Sequence, residues 1–518
     1  MSDTERYHTI IIGAGITGLS TGLACRKVYP DPDHRVLILE KQPVAGGCVA
    51  TFARKGYRFD TVQMIPDVSD ILGFFGISIE LKRFNNAYAR IFLAEPAVEA
   101  VSVFPVASSA ADFEAYLSGR FPDEARRIRK YFSYCRKMHE ELHYLKTEPG
   151  FTDILSILFR CRRILMNSNK TYRQFLDSFG FRNPLLYEIL DIFSSFSGLS
   201  GNRCAALLTA CAMITTLKGS YRPVKGFIEF PLLLRKEFEK RGGEIRVNTE
   251  VRRILIENGK ACGVELADGS ILRSEIVVST ADTKVTLGKM VGFELLEKLD
   301  SAYALKANEV KMSPSAFAIH LGLSEDLNLR EMGFDCGYNV LTTGRQTHEK
   351  MFDVWEKGQM LLSDDEFHLA VISPSVMTGG KNNLVIHVVP VPAASWIELR
   401  ETDYESYTRK KQQLADFYIQ KVEKYMIPGL RNHILFTDIS TPATYARYIG
   451  SPGGSNYDMM PVPGNFGKNR LRTRTPVENL FMPKFSHGIW PSLQAGLQVV
   501  DMISGGKIMN GNSSYSGS

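Results

Sequence analysis

The chain has 518 residues, of which 44% are hydrophobic and 23% charged, and a formal net charge of +6. That length predicts two domains with large apolar interiors, and the balance of apolar and charged residues excludes a disordered chain. No run approaches the roughly 20 apolar residues of a membrane-spanning helix, and no lysine or arginine block interleaves with aromatics as a nucleic-acid groove requires.

The opening residues, MSDTERYHT, are polar and lack the apolar stretch of a secretory signal, so the expected location is cytoplasmic. Eight cysteines are scattered without a C-x-x-C pair, which predicts thiols in a reducing compartment rather than a disulfide frame or a zinc knuckle.

His8 to Ile12 reads as a buried strand running directly into Gly13-Ala14-Gly15-Ile16-Thr17-Gly18 and then a helix of small residues. The context of a dinucleotide turn is complete: a tight bend at Gly13, backbone room for a pyrophosphate at Gly15, and close helix packing at Gly18. The helix N-terminal amides around Ile16 and Thr17 are then aimed at the anion. A second strand, RVLIL, delivers Glu40, with Lys41 beside it, a little over twenty residues past Gly18. A carboxylate there accepts both ribose hydroxyls and repels a 2′-phosphate, so the adenosine belongs to FAD or NAD. Gly46 and Gly47 favour FAD, because a second backbone approach beyond the ribose acid suits a dinucleotide lying extended into the molecule. Cys48 is read as a small side chain packed beside that cofactor; no neighbouring cysteine stands ready to resolve a redox thiol.

His139-Glu140-Glu141-Leu142-His143 matches H-E-x-x-H, which on a helix would grip zinc between two imidazoles one turn apart. Its flanks show no catalytic context and no third ligand follows, so a solvated, charge-rich helix is expected and no metal is assigned. FTDILSILFRCRRILM, residues 151 to 166, sets Phe151, Ile154, Leu155, Leu158 and Phe159 on one face at helical spacing, with Arg160, Arg162 and Arg163 at the end. Two readings stand: an amphipathic helix in a membrane surface, or a core-facing helix with a snorkelling basic end. Near the C-terminus, His487, Ile489 and Trp490 stand just ahead of a helix expected to begin near Pro491 and Ser492, whose N-terminus would stabilise an anionic reduced flavin. For His487 ordinary hydrogen bonding is expected rather than proton transfer.

With these residues in hand the chain resembles the phytoene desaturase-like FAD-dependent oxidoreductases, the group that also holds carotenoid isomerases and retinol saturases. GYRFDT (56 to 61) follows the twin glycines as the family's G-x-x-F-D motif does. FPDEARRIRKYF, YRPVKGFIEFP, RGGEIRVNTEVRRILIENGKACGVELADG, IVVSTAD and PVENLFMPKFSHGIWPSLQAG look like its later blocks, so the likeness spans nearly the whole chain. The resemblance implies FAD as cofactor, with Val251 joining the residues above around it. Cys48 stands where desaturases usually carry arginine and looks more like the retinol saturase arm. Val62 replaces a family glycine, and the glycine cluster expected between Leu480 and Gly488 is missing; both changes predict a narrowed cavity near the flavin.

The fold class expected is α/β, a Rossmann-type FAD-binding domain with an inserted mixed-sheet plus helical substrate domain. The nucleotide domain would be assembled from residues 1–85, 220–295 and 465–508, and the substrate domain from 86–219 and 296–464, with 509–518 a disordered tail. Alternating runs at 88–93, 315–323 and 382–391 suggest a half-buried sheet in the insert. The leading functional expectation is FAD-dependent saturation or isomerisation, with desaturation next, of a carbon–carbon bond in a long apolar lipid such as a carotenoid or retinoid. A non-catalytic lipid-binding or escort protein and a flavin amine oxidase are the alternatives.

Overall fold

A computed structural model describes residues 5–85, 87–145, 151–465, 469–483 and 488–508. His487 and the tail 509–518 lie outside the described residues. The first strand, β1 (Arg6–Ile12), ends at the glycine turn; α1 (Ile16–Val28) and β2 (Val36–Leu39) follow. Gly18 is demanded by contact: a Cβ there would stand 2.0 Å from the Gly13 carbonyl oxygen.

The first sheet runs in the order Val251–Glu257, Lys260–Leu266, Ile271–Ser279, β1, β2, Glu244–Arg246, with Leu480–Phe481 pairing along Ile271–Ser279. Strand β1 is parallel to β2 and to Ile271–Ser279, whereas Val251–Glu257, Lys260–Leu266 and Ile271–Ser279 form an antiparallel meander. Helices cover one side: α1 packs between Glu229–Lys240 and the last helix, Ile489–Ser504, where the Ser20 hydroxyl donates to the Leu493 carbonyl at 2.7 Å. Both residues lie one turn inside their helices, so the two N-termini open side by side. On the other side the core takes in Leu296, Tyr303 and Ala307, so it continues past residue 295.

The second sheet runs Ile434–Ser440, Ser315–Leu323, Asn383–Val391, His368–Ile372, Tyr338–Thr342, Ala89–Glu95, Ala100–Val106, antiparallel except for the pair Tyr338–Thr342 with Ala89–Glu95. Ser315–Leu323 is not half-buried as the alternating pattern suggests but buried throughout, because both faces are covered. Phe317, Ile319, Leu321, Leu384 and Ile386 pack in one core with the helix Tyr404–Tyr425. On the opposite face Ile91 and Val340 meet a helical layer drawn from residues 110–218, and the remainder looks into a cavity. The architecture is therefore a Rossmann-type α/β domain carrying an inserted mixed-sheet plus helical domain.

One buried ion pair ties the pieces together. Asp60 ends the hairpin Thr51–Arg54/Tyr57–Asp60 and meets Arg222, the two residues being 5% and 1% exposed. Asp60 also accepts from the Phe227 amide at 3.1 Å and from the Thr51 hydroxyl, while Arg222 donates to the Gln63 carbonyl at 2.7 Å. Removing one partner leaves a charge stranded in the interior: Arg222→Ala or Asp60→Ala is expected to cost about 3–5 kcal/mol of unfolding free energy, while replacing both by apolar residues of like volume costs less. Thermal and denaturant unfolding of the three variants checks this; equal losses in single and double variants would contradict it.

Candidate functional site

A cavity of about 2610 Å³ runs from the glycine turn to the inserted sheet. Sites for one drug-sized ligand measure about 300–1,000 Å³, so there is room for more than one occupant. Val62, expected to narrow the flavin side, lines a wide chamber; residues 484–487, where the C-terminal glycines are missing, lie outside the described residues. Val62 is partly buried and packs against the nucleotide-side cluster.

At the nucleotide end, Gly13, Gly15, Ile16 and Thr17 line the cavity, while Gly18 is spent on packing within the turn. Helix α1 starts from Gly15 without a side-chain cap, so its first amides are left for a ligand. Gly46 and Gly47 fold back onto this turn: the Gly46 amide donates to the Ala14 carbonyl at 2.9 Å, and a Cβ on Gly47 would stand 3.1 Å from the Gly15 Cα. The twin glycines are thus required by backbone meeting backbone, and both line the same cavity.

Glu40 accepts the Ala14 amide at one carboxylate oxygen and the Gln42 amide at the other, each at 2.8 Å. A carboxylate has about four acceptor positions, so it keeps capacity for a diol. Its backbone is clamped between Arg246, whose carbonyl accepts the Glu40 amide at 2.9 Å, and Thr249, whose amide donates to the Glu40 carbonyl at 2.8 Å. That junction brings Val251 and Lys41 to the same wall.

Ile489, Trp490, Pro491 and Ser492 line the cavity from the other helix, which likewise starts without a side-chain cap, at Gly488. The Ser492 hydroxyl turns back to the Gly488 carbonyl at 2.8 Å. Two uncapped helix N-termini and one carboxylate therefore border one space, a donor set that fits a dinucleotide pyrophosphate at α1 and an electron-rich ring at Ile489–Ser492. All fifteen residues expected to surround the cofactor except Gly18 line this cavity.

Cys48 also lines it, with Tyr445 and Tyr457 close by: burial raises both phenols, Tyr457 to about 12, and the nearby thiol adds to each. Farther in, four histidines border the chamber. Burial lowers His320 and His387 to about 4 and His368 to about 3, and also holds His348, stacked on His368 at 3.9 Å, well below its ordinary value. All four imidazoles are therefore neutral near pH 7. Sequence reasoning missed these residues and the tyrosines; alternation in Ser315–Leu323 and Asn383–Val391, with imidazoles on one face only, was the available signal.

The H-E-x-x-H segment is not a solvated helix. Helix Ala125–Glu140 buries Ile128, Tyr131, Phe132 and Met138, then tightens to a 3₁₀ turn over Glu141–Tyr144, so His139 and His143 are not consecutive on an α-helical face. His139 pairs with the Thr215 hydroxyl at 3.0 Å, and Glu141 accepts from the Ile164 amide at 3.0 Å and from Arg163 at 2.7 Å. Among the described residues no group of histidine, cysteine, aspartate and glutamate could hold a metal ion.

Residues 151–166 form a helix, Phe151–Arg160, and after a break at Cys161 a second, Arg162–Asn167. The core-facing reading fails for its outer residues: Ile154 is 46%, Leu158 53%, Phe159 72% and Met166 68% exposed. Ile154, Ile157 and Leu158 also line the cavity, so this is where it reaches the surface. Among the described residues no helix is long and apolar enough to cross a membrane.

Residues 11–63 match the NAD(P)-binding Rossmann-like domain family. The chloroplastic prolycopene isomerase of Daucus carota is 26% identical over 490 residues, covering 88% of this chain and 72% of that protein. The neurosporene-forming phytoene desaturase of Cereibacter sphaeroides is 23% identical over 481 residues, covering 89% of this chain and 86% of that one. Among solved structures, an oxidoreductase from Methanosarcina mazei superposes with a TM-score of 0.62 at 15% identity, over 95% of this chain and 100% of that one, which is a likeness of fold. From the glycine turn through both sheets the chain is thus similar to the phytoene desaturase-like proteins.

Proposed function

We propose that the protein is an FAD-dependent oxidoreductase acting on a carbon–carbon bond of a long apolar polyene or isoprenoid lipid, with saturation or isomerisation the leading reaction and desaturation next. One observation carries the reading: a single cavity is bordered by two uncapped helix N-termini and Glu40 at one end and by aliphatic side chains at the other. The names of relatives aligned over nearly the whole chain, a prolycopene isomerase and a phytoene desaturase, support a polyene as the substrate class.

In this reading Glu40 accepts the ribose hydroxyls, the amides after Gly15 meet the pyrophosphate, and the helix end at Ile489–Ser492 faces the reactive ring. When bound, FAD would supply two-electron chemistry. The chain's own part is orientation and exclusion of water: Trp490, Tyr445 and Tyr457 wall the inner space, and Leu142, Leu207 and Leu208 give the lipid a dry wall. Residues 1–85, 220–295 and 465–508 are assigned to the nucleotide domain and 86–219 and 296–464 to the substrate domain, supported by the strand membership of the two sheets, except that the helix Ser301–Glu309 packs on the nucleotide side.

The exposed apolar residues of Phe151–Asn167, rimmed by Arg160 and Arg162, are assigned as a peripheral contact with an anionic membrane, at the point where the cavity opens. A lipid then passes from bilayer to chamber without crossing water.

The protein purified with FAD is expected to be yellow, and Glu40→Gln to weaken FAD about tenfold or more, the worth of a charge-assisted hydrogen bond; titration calorimetry with no heat from wild type would overturn the cofactor assignment. Mass spectrometry of a polyene incubated with the reduced and oxidised protein then separates the reactions, as saturation adds hydrogen, desaturation removes it and isomerisation leaves the mass unchanged. For the membrane contact, Phe159→Glu with Met166→Glu is expected to weaken sedimentation with phosphatidylserine-containing vesicles by about tenfold or more, since each buried apolar side chain is worth about 1.5–3 kcal/mol; unchanged sedimentation would remove the assignment.

A further inference from the structure

The inserted sheet meets the cavity with the wrong polarity for a plain hydrocarbon. Its far face is aliphatic: Phe317, Ile319 and Leu321 of one strand and Leu384, Ile386 and Val388 of the next pack in the core. The cavity face of the same strands carries Ala318, His320, Val385 and His387. Register sets Ser440 and His387 on either side of Ala318, and Asp438 and Val385 on either side of His320. His320 and His387 are therefore diagonal neighbours, about 7–8 Å apart along the backbone grid.

These two imidazoles differ from the others. His368 is satisfied by Ser195 and Thr342, each at 3.0 Å, and serves as packing for His348. His320 is wedged edge-on between Phe52 and Phe59, with ring centroids 5.0 and 5.2 Å away. One of its nitrogens has only the Ser440 hydroxyl at 3.4 Å and the other has no hydrogen-bond partner. The His387 side chain makes no hydrogen bond to any described residue and is partly accessible from the chamber. Val389, next but one along its strand, stands close to the Tyr457 ring, since a Cβ on Gly198 would meet Tyr457 at 3.0 Å and Val389 at 3.9 Å. The histidine pair thus continues directly from the wall around Cys48.

Leaving a buried polar group without a partner costs about 1–3 kcal/mol, and an all-hydrocarbon occupant would impose that cost on His387. We infer that His387, with His320 and Ser440 beside it, is a binding site for the polar end of the substrate, and that this end is a neutral oxygen function, an alcohol or aldehyde on a polyene or isoprenoid chain. A neutral imidazole can donate to a carbonyl or accept from a hydroxyl. An ionic head is disfavoured because Asp438, opposite His320, is already neutralised by Arg54 at 3.1 Å, which leaves this stretch of wall without a net charge to pair. The inference rests on the lipid reading above and narrows it.

The test compares three ligands with one chromophore on the full-length, FAD-loaded protein: all-trans-retinol, the hydrocarbon lacking its hydroxyl, and the corresponding carboxylic acid, titrated by polyene fluorescence. The alcohol is expected to bind about tenfold tighter than the hydrocarbon, the worth of one recovered hydrogen bond, and no weaker than the acid. His387→Leu is expected to erase the preference by weakening the alcohol while leaving the hydrocarbon unchanged or tighter, and His387→Asn to restore part of it. Equal binding of alcohol and hydrocarbon to wild type, a preference that survives in His387→Leu, or an acid bound tenfold tighter than the alcohol would each overturn the inference while leaving the lipid reading in place. Binding of none of the three would overturn both.

Discussion

A carboxylate and a guanidinium, taken out of water and placed against each other 162 residues apart in sequence, hold this molecule in one piece. Asp60 closes the hairpin that follows the twin glycines; Arg222 sits where the chain returns from the helical layer to the nucleotide side. Their contact fixes three walls of the cavity together, because Thr51, Asp60 and Ile228 all line it and Thr51 bonds both Asp60 and the Ile228 amide, the latter at 3.1 Å. A buried pair of this kind is poor as a source of net stability, since desolvation offsets most of the attraction. Its contribution is to register: the pair joins the hairpin, the Gln63 carbonyl and the Phe227 amide at one point.

That register explains why the nucleotide end was legible in the sequence and the substrate end was not. The turn from Gly13 to Gly18, Glu40 and the twin glycines act through backbone geometry within a few residues of themselves, so residue type and spacing carry the information. Gly47 against Gly15 is a contact across the chain, yet it leaves a trace because only glycine tolerates it. The last helix was legible by its proline, although it opens at Ile489, two residues before the start near Pro491 that the proline suggests.

The chamber wall depends instead on which strand lies beside which. His320 and His387 are separated by 67 residues in the chain, and nothing local says that one sheet register places them side by side above Ser440. Period-two alternation revealed strands in both places but misjudged their burial, because it treats the polar face as the wet one. Here that face is enclosed: helices of the insert and the nucleotide domain roof it over. The H-E-x-x-H segment failed as a motif by the converse route, since its spacing is right in sequence but the helix tightens at Glu141 and the first histidine is engaged with Thr215.

An amphipathic chamber also constrains how a lipid arrives. In a bilayer a long-chain alcohol keeps its hydroxyl at the interface and its chain among the acyl tails, and the mouth of this cavity is lined by Ile154, Ile157 and Leu158, which offer the hydroxyl nothing. Transfer therefore begins by stripping water from the polar end, an unfavourable step of about 1–3 kcal/mol if no partner follows. On the proposed reading, His387 and the unpartnered nitrogen of His320 return that cost once the polar end reaches the sheet. Molecules without an oxygen enter as easily but gain nothing at the far wall, so the polar floor selects by residence rather than by entry. On the same reading, a head held at His387 would set which bonds of the chain come nearest Trp490, since both residues line the one chamber.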